Sequence, residues 1–218
     1  MKRASVGRPR EHGEATAAAL LEAAERVIAA GGIEAVSVRG LADEVGTTTR
    51  AVYALFGSKD GVFVALAARA WETLRESLRT LPVTGDPRAD LVAAGSRVFR
   101  RFVLTHPVLF RIGVQRSTVT PDVAGQYEAA RLRALEALEG RISRLREAGG
   151  LAGRSVREAA CHFHALCEGL ADLELRGALP EGQEQRIWAD ALHALVTGLG
   201  IAVRTPIDSH SSSETSVY

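Results

Sequence analysis

The chain has 218 residues, enough for one large or two small domains, and at 46% hydrophobic it can fill a sizeable core. Its formal net charge of +1 does not mark a nucleic-acid binder as a whole, so any positive footprint has to be local. Two cysteines exclude a disulfide framework and fit a reducing, cytoplasmic setting.

No signal peptide is expected, because the basic start is not followed by a suitable apolar core. No stretch is long and apolar enough for a membrane span, so no membrane partner is expected either. Runs rich in β-branched residues are almost absent, while Ala, Leu, Arg and Glu are everywhere, which predicts an all-α fold of about nine helices.

Residues 1–12, MKRASVGRPREH, lack periodicity and carry Lys2, Arg3, Arg8 and Arg10 before the first acid, Glu11. They read as a flexible basic arm. Gly7-Arg8-Pro9-Arg10 is similar to hooks that place extended arginines in the narrow minor groove of A·T-rich DNA. A tail giving only non-specific phosphate attraction reads equally well. The first helix is expected from about Gly13 to Ala30, with Ala17, Leu20, Leu21, Ala24, Val27 and Ile28 on its apolar stripe. Gly31-Gly32 end it.

The next stretch, Ser37 to Lys59, is the most informative in the chain. Val38, Leu41, Ala42 and Val45 fall at i, i+3, i+4 and i+7, so one face of a short helix is buried. Gly46 breaks the pattern where the chain must reverse. Thr48 then caps a second helix that buries Val52 and ends at Leu55 and Phe56. The outer face of that helix carries Thr47, Thr48, Thr49, Arg50 and Tyr53. A short polar helix on an apolar support is the form that enters a DNA major groove, although an ordinary αα-hairpin shares the pattern. Arginine is the default cation here, with 25 Arg against Lys2 and Lys59 alone. Lys59 also lies in the first turn of the helix that Ser58 opens, where the macrodipole disfavours a cation. An approaching phosphate would explain it.

The Ser58 helix should reach about Leu78, with Leu81-Pro82 as its stop. Val62, Phe63 and Leu66 pack on the reading unit, while Ala70, Trp71 and Leu74 face a second core. Asp86-Pro87 starts the next helix, which runs to Thr105 and breaks at His106-Pro107. Val108 to Val114 form a short helix and Ser117 to Thr120 a loop. From Pro121 a helix runs to Gly149-Gly150, with Leu132, Leu135, Leu138, Ile142 and Leu145 on its buried side. Arg131, Arg133, Glu136, Glu139, Arg141 and Arg144 are expected on its solvated face. Two further helices, Ser155 to about Arg176 and Gln183 to Val203, carry many small residues and could pair with their copies in a four-helix dimer interface. The Ser-rich tail from Pro206 is expected to be disordered.

Several of these motifs agree in order and spacing with one family. Gly31-Gly32, Ser37-Val38-Arg39, Leu41-Ala42-Asp43-Glu44-Val45-Gly46, Tyr53-Ala54-Leu55-Phe56 and Ser58-Lys59-Asp60 resemble the DNA-binding domain of the TetR family of bacterial transcriptional regulators. The likeness runs from about Ala15 to Leu66. Thr47 departs from it, standing where the family usually has an aliphatic residue. The segment Phe163-His164-Ala165-Leu166-Cys167-Glu168-Gly169-Leu170 is similar to a TetR C-terminal class named for a Trp-His-Gly pattern; only Gly169 matches outright.

The resemblance implies a basic arm (1–12), a helix-turn-helix domain (13–60), a ligand-binding and dimerisation domain (61–205) and a tail (206–218). It implies a homodimeric repressor that leaves a palindromic operator on double-stranded DNA when a small-molecule effector binds. Ser37, Arg39, Thr48, Tyr53 and Lys59 are then expected on phosphates. Thr47, Thr49 and Arg50 face base edges, with Arg50 suited to a guanine. Phe99, Phe102, Phe110, Tyr127 and Phe163 are candidate pocket residues and equally candidate core.

Three other readings have their own features. Cys161, His164 and Glu168 share a helix face and are zinc-ligand types, which would suit a metal-responsive regulator completed by His106 or His193. The helix pair could instead bind protein, as a helical interaction module. No Gly-rich phosphate loop, strand-turn-helix Ser-His-Asp order or HExxH occurs, so neither an enzyme nor a cofactor is expected.

Overall fold

The computed structural model describes residues 8–114 and 124–202, which form nine helices and no strand. The first, α1, spans Arg8–Gly31. It begins five residues before the expected start at Gly13, so Arg8, Pro9 and Arg10 belong to its first turns rather than to an extended arm. Gly7 lies outside the described residues. After a 3-10 turn at Ile33–Ala35 come α2, Val38–Val45, and α3, Thr49–Phe56. The long α4 spans Lys59–Thr80.

Residues 87–105 form α5, in which a π-helical stretch, Ala94–Phe99, separates the α-helical segments Pro87–Ala93 and Arg100–Thr105. Residues 107–114 form the short α6. The body is completed by α7, Ala124–Glu147, α8, Val156–Leu175, and α9, Glu184–Leu199. The expected loop at Ser117 to Thr120, the helix start at Pro121 and the tail fall outside the described residues.

Local chemistry sets most of these ends. Asp86 accepts the Arg88 and Ala89 amides ahead of Pro87. Ser155 and Glu158 form a reciprocal capping box. At the end of α7 the Gly150 amide donates to the Leu145 carbonyl at 2.8 Å, with Gly149 at φ 74°.

The buried side chains form one contiguous cluster, not two separate cores, and α4 carries it from end to end. Val62 and Leu66 are fully buried toward α1 to α3, and Ala70, Trp71 and Leu74 are buried in the body. Each such large side chain contributes about 1.5–3 kcal/mol on burial. Gly113 lets α6 lie directly on α4: a Cβ there would fall 2.5 Å from the Ala70 Cβ. Gly95 does the same for α5 against Leu192 of α9.

Two sequence expectations on α7 are reversed. Leu132 is 46% exposed instead of buried, whereas Arg141, expected on the solvated face, is 7% exposed. The Arg141 guanidinium turns inward because the C-terminal carbonyls of α4 need donors. It donates to Leu78 at 2.7 Å and Leu81 at 2.5 Å. Burial pushes that guanidinium below the ordinary arginine range, partly offset by Asp90. Next to it, Arg144 donates to Asp90 at 2.5 Å and also to the Thr84 carbonyl, tying the loop after α4 to α7. Arg100 and the Trp188 indole both donate to Glu174, which joins α5, α8 and α9. Among the described residues no single helix is long and apolar enough to cross a membrane.

Candidate nucleic-acid interface and body cleft

The head is built from three hydroxyl-capped helices. Ser37 accepts the Gly40 amide at 3.0 Å, Thr48 the Ala51 amide at 3.1 Å, and Ser58 the Gly61 amide at 3.0 Å. Between α2 and α3, Gly46 is left-handed (φ 73°, ψ 34°) and the Thr47 amide donates back to the Ala42 carbonyl at 2.8 Å. A side chain other than glycine would be strained at that φ.

Leu41, Ala42 and Val52 are buried, so α3 has a fixed roll. Its outer face presents Thr48, Thr49, Arg50 and Tyr53, all exposed, with Tyr53 at 52%. Thr47 is half-buried in the turn. Arg50 has no ion-pair partner among the described residues. Arg39 meets Asp43 only at 3.9 Å, with both side chains largely in solvent. Lys59 is half-buried and its Nζ lies 5.8 Å from the centre of the Phe63 ring, a cation–π contact that holds a positive charge beside the start of α4. Serine and threonine caps use an oxygen lone pair, so each hydroxyl proton is still free to donate to a phosphate.

Gly61 was not singled out from sequence. A Cβ on it would stand 1.8 Å from the Phe56 carbonyl oxygen. The end of α3 thus rests directly on the first turn of α4. The legible signal was a glycine inside a helix start with no turn to make. On the other side, Arg26 of α1 donates to Glu44 of α2 at 2.9 Å, and Glu25 of α1 meets His106 at 3.5 Å.

In the body a cleft of about 690 Å³ lies between α7 and α8, with Trp71 of α4 in its wall. Of the expected pocket residues only Tyr127 lines it; its hydroxyl donates to the Gly113 carbonyl at 3.2 Å. Phe99 and Phe163 reach a small apolar space behind it that also touches Trp71 and His164. Phe102 lines a separate groove between α4 and α5, and Phe110 is fully buried core.

His164 Nδ1 lies 3.0 Å from the Glu168 carboxylate. Cys161 does not complete a ligand set with them: no group of three or more His, Cys, Asp or Glu among the described residues is placed to hold a metal ion. The metal-responsive reading therefore loses its site. The i, i+3, i+7 spacing put the three on one face but could not bring them to one point.

Against known proteins, a family model described as bacterial regulatory proteins, tetR family, matches residues 20–66. A second, described as tetracyclin repressor-like, C-terminal domain, matches residues 91–199, half of the chain. The nicotine-responsive transcriptional repressor HdnoR of Paenarthrobacter nicotinovorans is 36% identical over 83 residues, which is 38% of this chain and 41% of that protein. The chain thus aligns with less than half of that relative's length. A solved structure of a protein of unknown function from Rhodococcus sp. RHA1 covers 89% of this chain and 100% of its own, with a TM-score of 0.76 at 22% identity. The regulator PfmR of Thermus thermophilus covers 82% and 97%, with a TM-score of 0.62 at 24% identity. At these identities the two structures establish a shared fold.

Proposed function

Since the chain belongs to the TetR family of bacterial regulatory proteins, and is thus a DNA-binding transcriptional regulator, we propose that it is a homodimeric repressor released from a palindromic operator by a small molecule. The observation that carries this reading is the face of α3. Arg50, Thr49 and Tyr53 stand exposed on a helix whose roll is locked by buried Val52.

In the DNA-bound dimer two such helices sit about 34 Å apart, in successive major grooves. Ser37, Arg39, Thr48, Tyr53 and Lys59 take phosphates. Thr47, Thr49 and Arg50 face the bases, and the Arg50 fork matches guanine O6 and N7. The second copy docks on the outer faces of α8 and α9. Ala165, Gly169, Leu173 and Ala194 are exposed there, and small side chains allow close helix approach.

The effector enters the cleft beside Trp71. From Trp71 to Lys59, α4 rises about 18 Å, so a shift at the cleft reaches the Gly61–Phe56 contact. The effector has to favour the non-binding spacing by only a few kcal/mol. The name of HdnoR, a nicotine-responsive repressor, fits this mode of control.

The test is fluorescence anisotropy on DNA upstream of the protein's own gene, across a salt series. Wild type should bind with a steep salt slope. Lys59→Ala should weaken all sequences alike. Arg50→Ala should cost about 1–3 kcal/mol and relax preference at one base position per half-site. A well-folded protein that binds neither this DNA nor random duplex at low salt sinks the proposal and favours a protein-interaction role.

A further inference from the structure

We infer that Phe63 is a positioning residue for DNA binding: its ring holds the Lys59 ammonium beside the start of α4, where a phosphate meets it. This rests on the DNA-bound reading above, in which Lys59 takes a phosphate, and names the side chain that prepares it.

Lys59 is an ill-placed cation by the ordinary rules. It is the first residue of α4, where the helix macrodipole is positive and disfavours an ammonium. Among the described residues no carboxylate lies within ion-pair distance of it. The partner it has is the Phe63 ring, with Nζ over the ring at 5.8 Å from its centroid.

The contact is local. Residues 59 and 63 are one turn apart on the same helical face. Helical side chains lean toward the N-terminus, so the Phe63 ring comes back over the first turn of α4. The ring itself is anchored, being half-buried and packed against the core cluster. Its face carries the negative part of the ring quadrupole, which an aliphatic side chain lacks.

Holding the ammonium matters because a lysine on a phosphate gives up the rotamer freedom of a four-carbon stem. A side chain already held over a ring has given up part of that freedom before DNA arrives, which is how preorganisation raises affinity. The ammonium has three N–H donors. The ring face meets the charge from one side and leaves donors for a phosphate oxygen on the other.

The test is fluorescence anisotropy of the full chain on DNA upstream of its own gene and on random duplex. Phe63→Leu keeps an apolar side chain and removes the ring. It is expected to weaken binding at least about fivefold on both DNAs, because a dimer loses two such contacts. Phe63→Tyr keeps the ring and should bind like wild type. In a Lys59→Ala background Phe63→Leu should cost nothing further. Should Phe63→Leu fail to fold, Phe63→Met takes its place. A second readout needs no DNA. Lys59 and Lys2 are the only lysines of the chain, so amine acylation followed by peptide mass spectrometry gives the Lys59 rate against an internal reference. Phe63→Leu should raise that ratio.

Wild-type affinity in Phe63→Leu, or an unchanged acylation ratio, overturns the positioning role and leaves the regulator reading standing. So does an equal loss in Phe63→Tyr, or a loss that persists without Lys59, because the ring then serves the fold and not the lysine. If neither wild type nor Phe63→Tyr binds DNA at low salt, the regulator reading falls, and the positioning role falls with it whatever the acylation ratio shows.

Discussion

In the head, helices are ended and aimed by groups a few residues away: Ser37, Thr48 and Ser58 each accept an amide three positions on, and Gly46 turns the chain. In the body, the same work is done across the fold. Arg141 satisfies the end of α4 from α7, about sixty residues away, and Arg100 reaches Glu174 from α5 to α8. Thr48, Thr49, Arg50 and Tyr53 of the head stand exposed, whereas Arg100, Arg141 and Arg144 of the body are bound to groups on other elements. The proposed mode of control draws on both, a head free to meet DNA and a body that would pass a displacement on.

The contact between head and body is where this contrast breaks most easily. Gly61→Ala forces a Cβ to within 1.8 Å of the Phe56 oxygen. Overpacking at backbone costs about 3 kcal/mol, the upper part of the usual range, and should lower Tm by about 10 °C. DNA affinity should fall with it, because α3 is pushed off its seat. A variant that melts and binds like wild type would mean that α3 is not held by α4.

Within the body, Arg141→Met removes the guanidinium donor from both carbonyls, leaving Leu78 with only the Leu81 amide at 3.3 Å and taking from Leu81 its guanidinium partner. The expected cost is about 2 kcal/mol, read as a lower Tm, while operator affinity of the folded fraction stays unchanged. Loss of DNA affinity at unchanged Tm would move Arg141 from support to signalling.

Asp90 sharpens the contrast through pH. Burial alone would raise its carboxyl, but hydrogen bonds from the Thr84 hydroxyl and amide, and from Arg144, hold it below the ordinary range. The folded-state value thus lies below the unfolded one. The stabilisation is present above the unfolded value of about 3.9 and is lost as pH falls through the folded value. Asp90→Asn should cost about 1–2 kcal/mol at neutral pH, with the gap to wild type closing as pH drops below about 4. Parallel Tm curves down to acid pH would show that Asp90 gains nothing from its charge.

This contrast also explains what the sequence made legible. Caps, the left-handed glycine and the i, i+3, i+4 stripe are local signals, so α2, α3 and the polar face of α3 could be read directly. The proposed dimer faces of α8 and α9 were visible as small-residue stripes for the same reason. Arg131, Arg133, Arg141 and Arg144 look alike along α7. Which of them turns inward depends on where α4 ends, and no periodicity carries that. The aromatic pocket candidates are scattered for the same reason: Tyr127 lines the cleft, Phe99 and Phe163 reach the apolar space behind it, and Phe102 lines a separate groove. Phe110 and Phe163 are buried like any core side chain, while the cleft wall is built from Trp71, His164 and carboxylates of two helices.

The smallest stability effect is expected at Arg39, and there its smallness is the point. Its contact with Asp43 is 3.9 Å long, with the two side chains 88% and 74% exposed, so solvent and salt screen it almost entirely. Arg39→Ala should leave Tm where it is. If Arg39 meets one phosphate per subunit, the same change removes two phosphate contacts from a dimer. The slope of log affinity against log salt should then fall by about 2, equally on every sequence. A Tm drop of several degrees would make Arg39 a structural residue. An unchanged Tm with an unchanged slope would leave the phosphate contacts to Lys59, Tyr53 and the two hydroxyl caps. Only unchanged stability with a shallower slope places Arg39 among the groups that the head holds open for DNA.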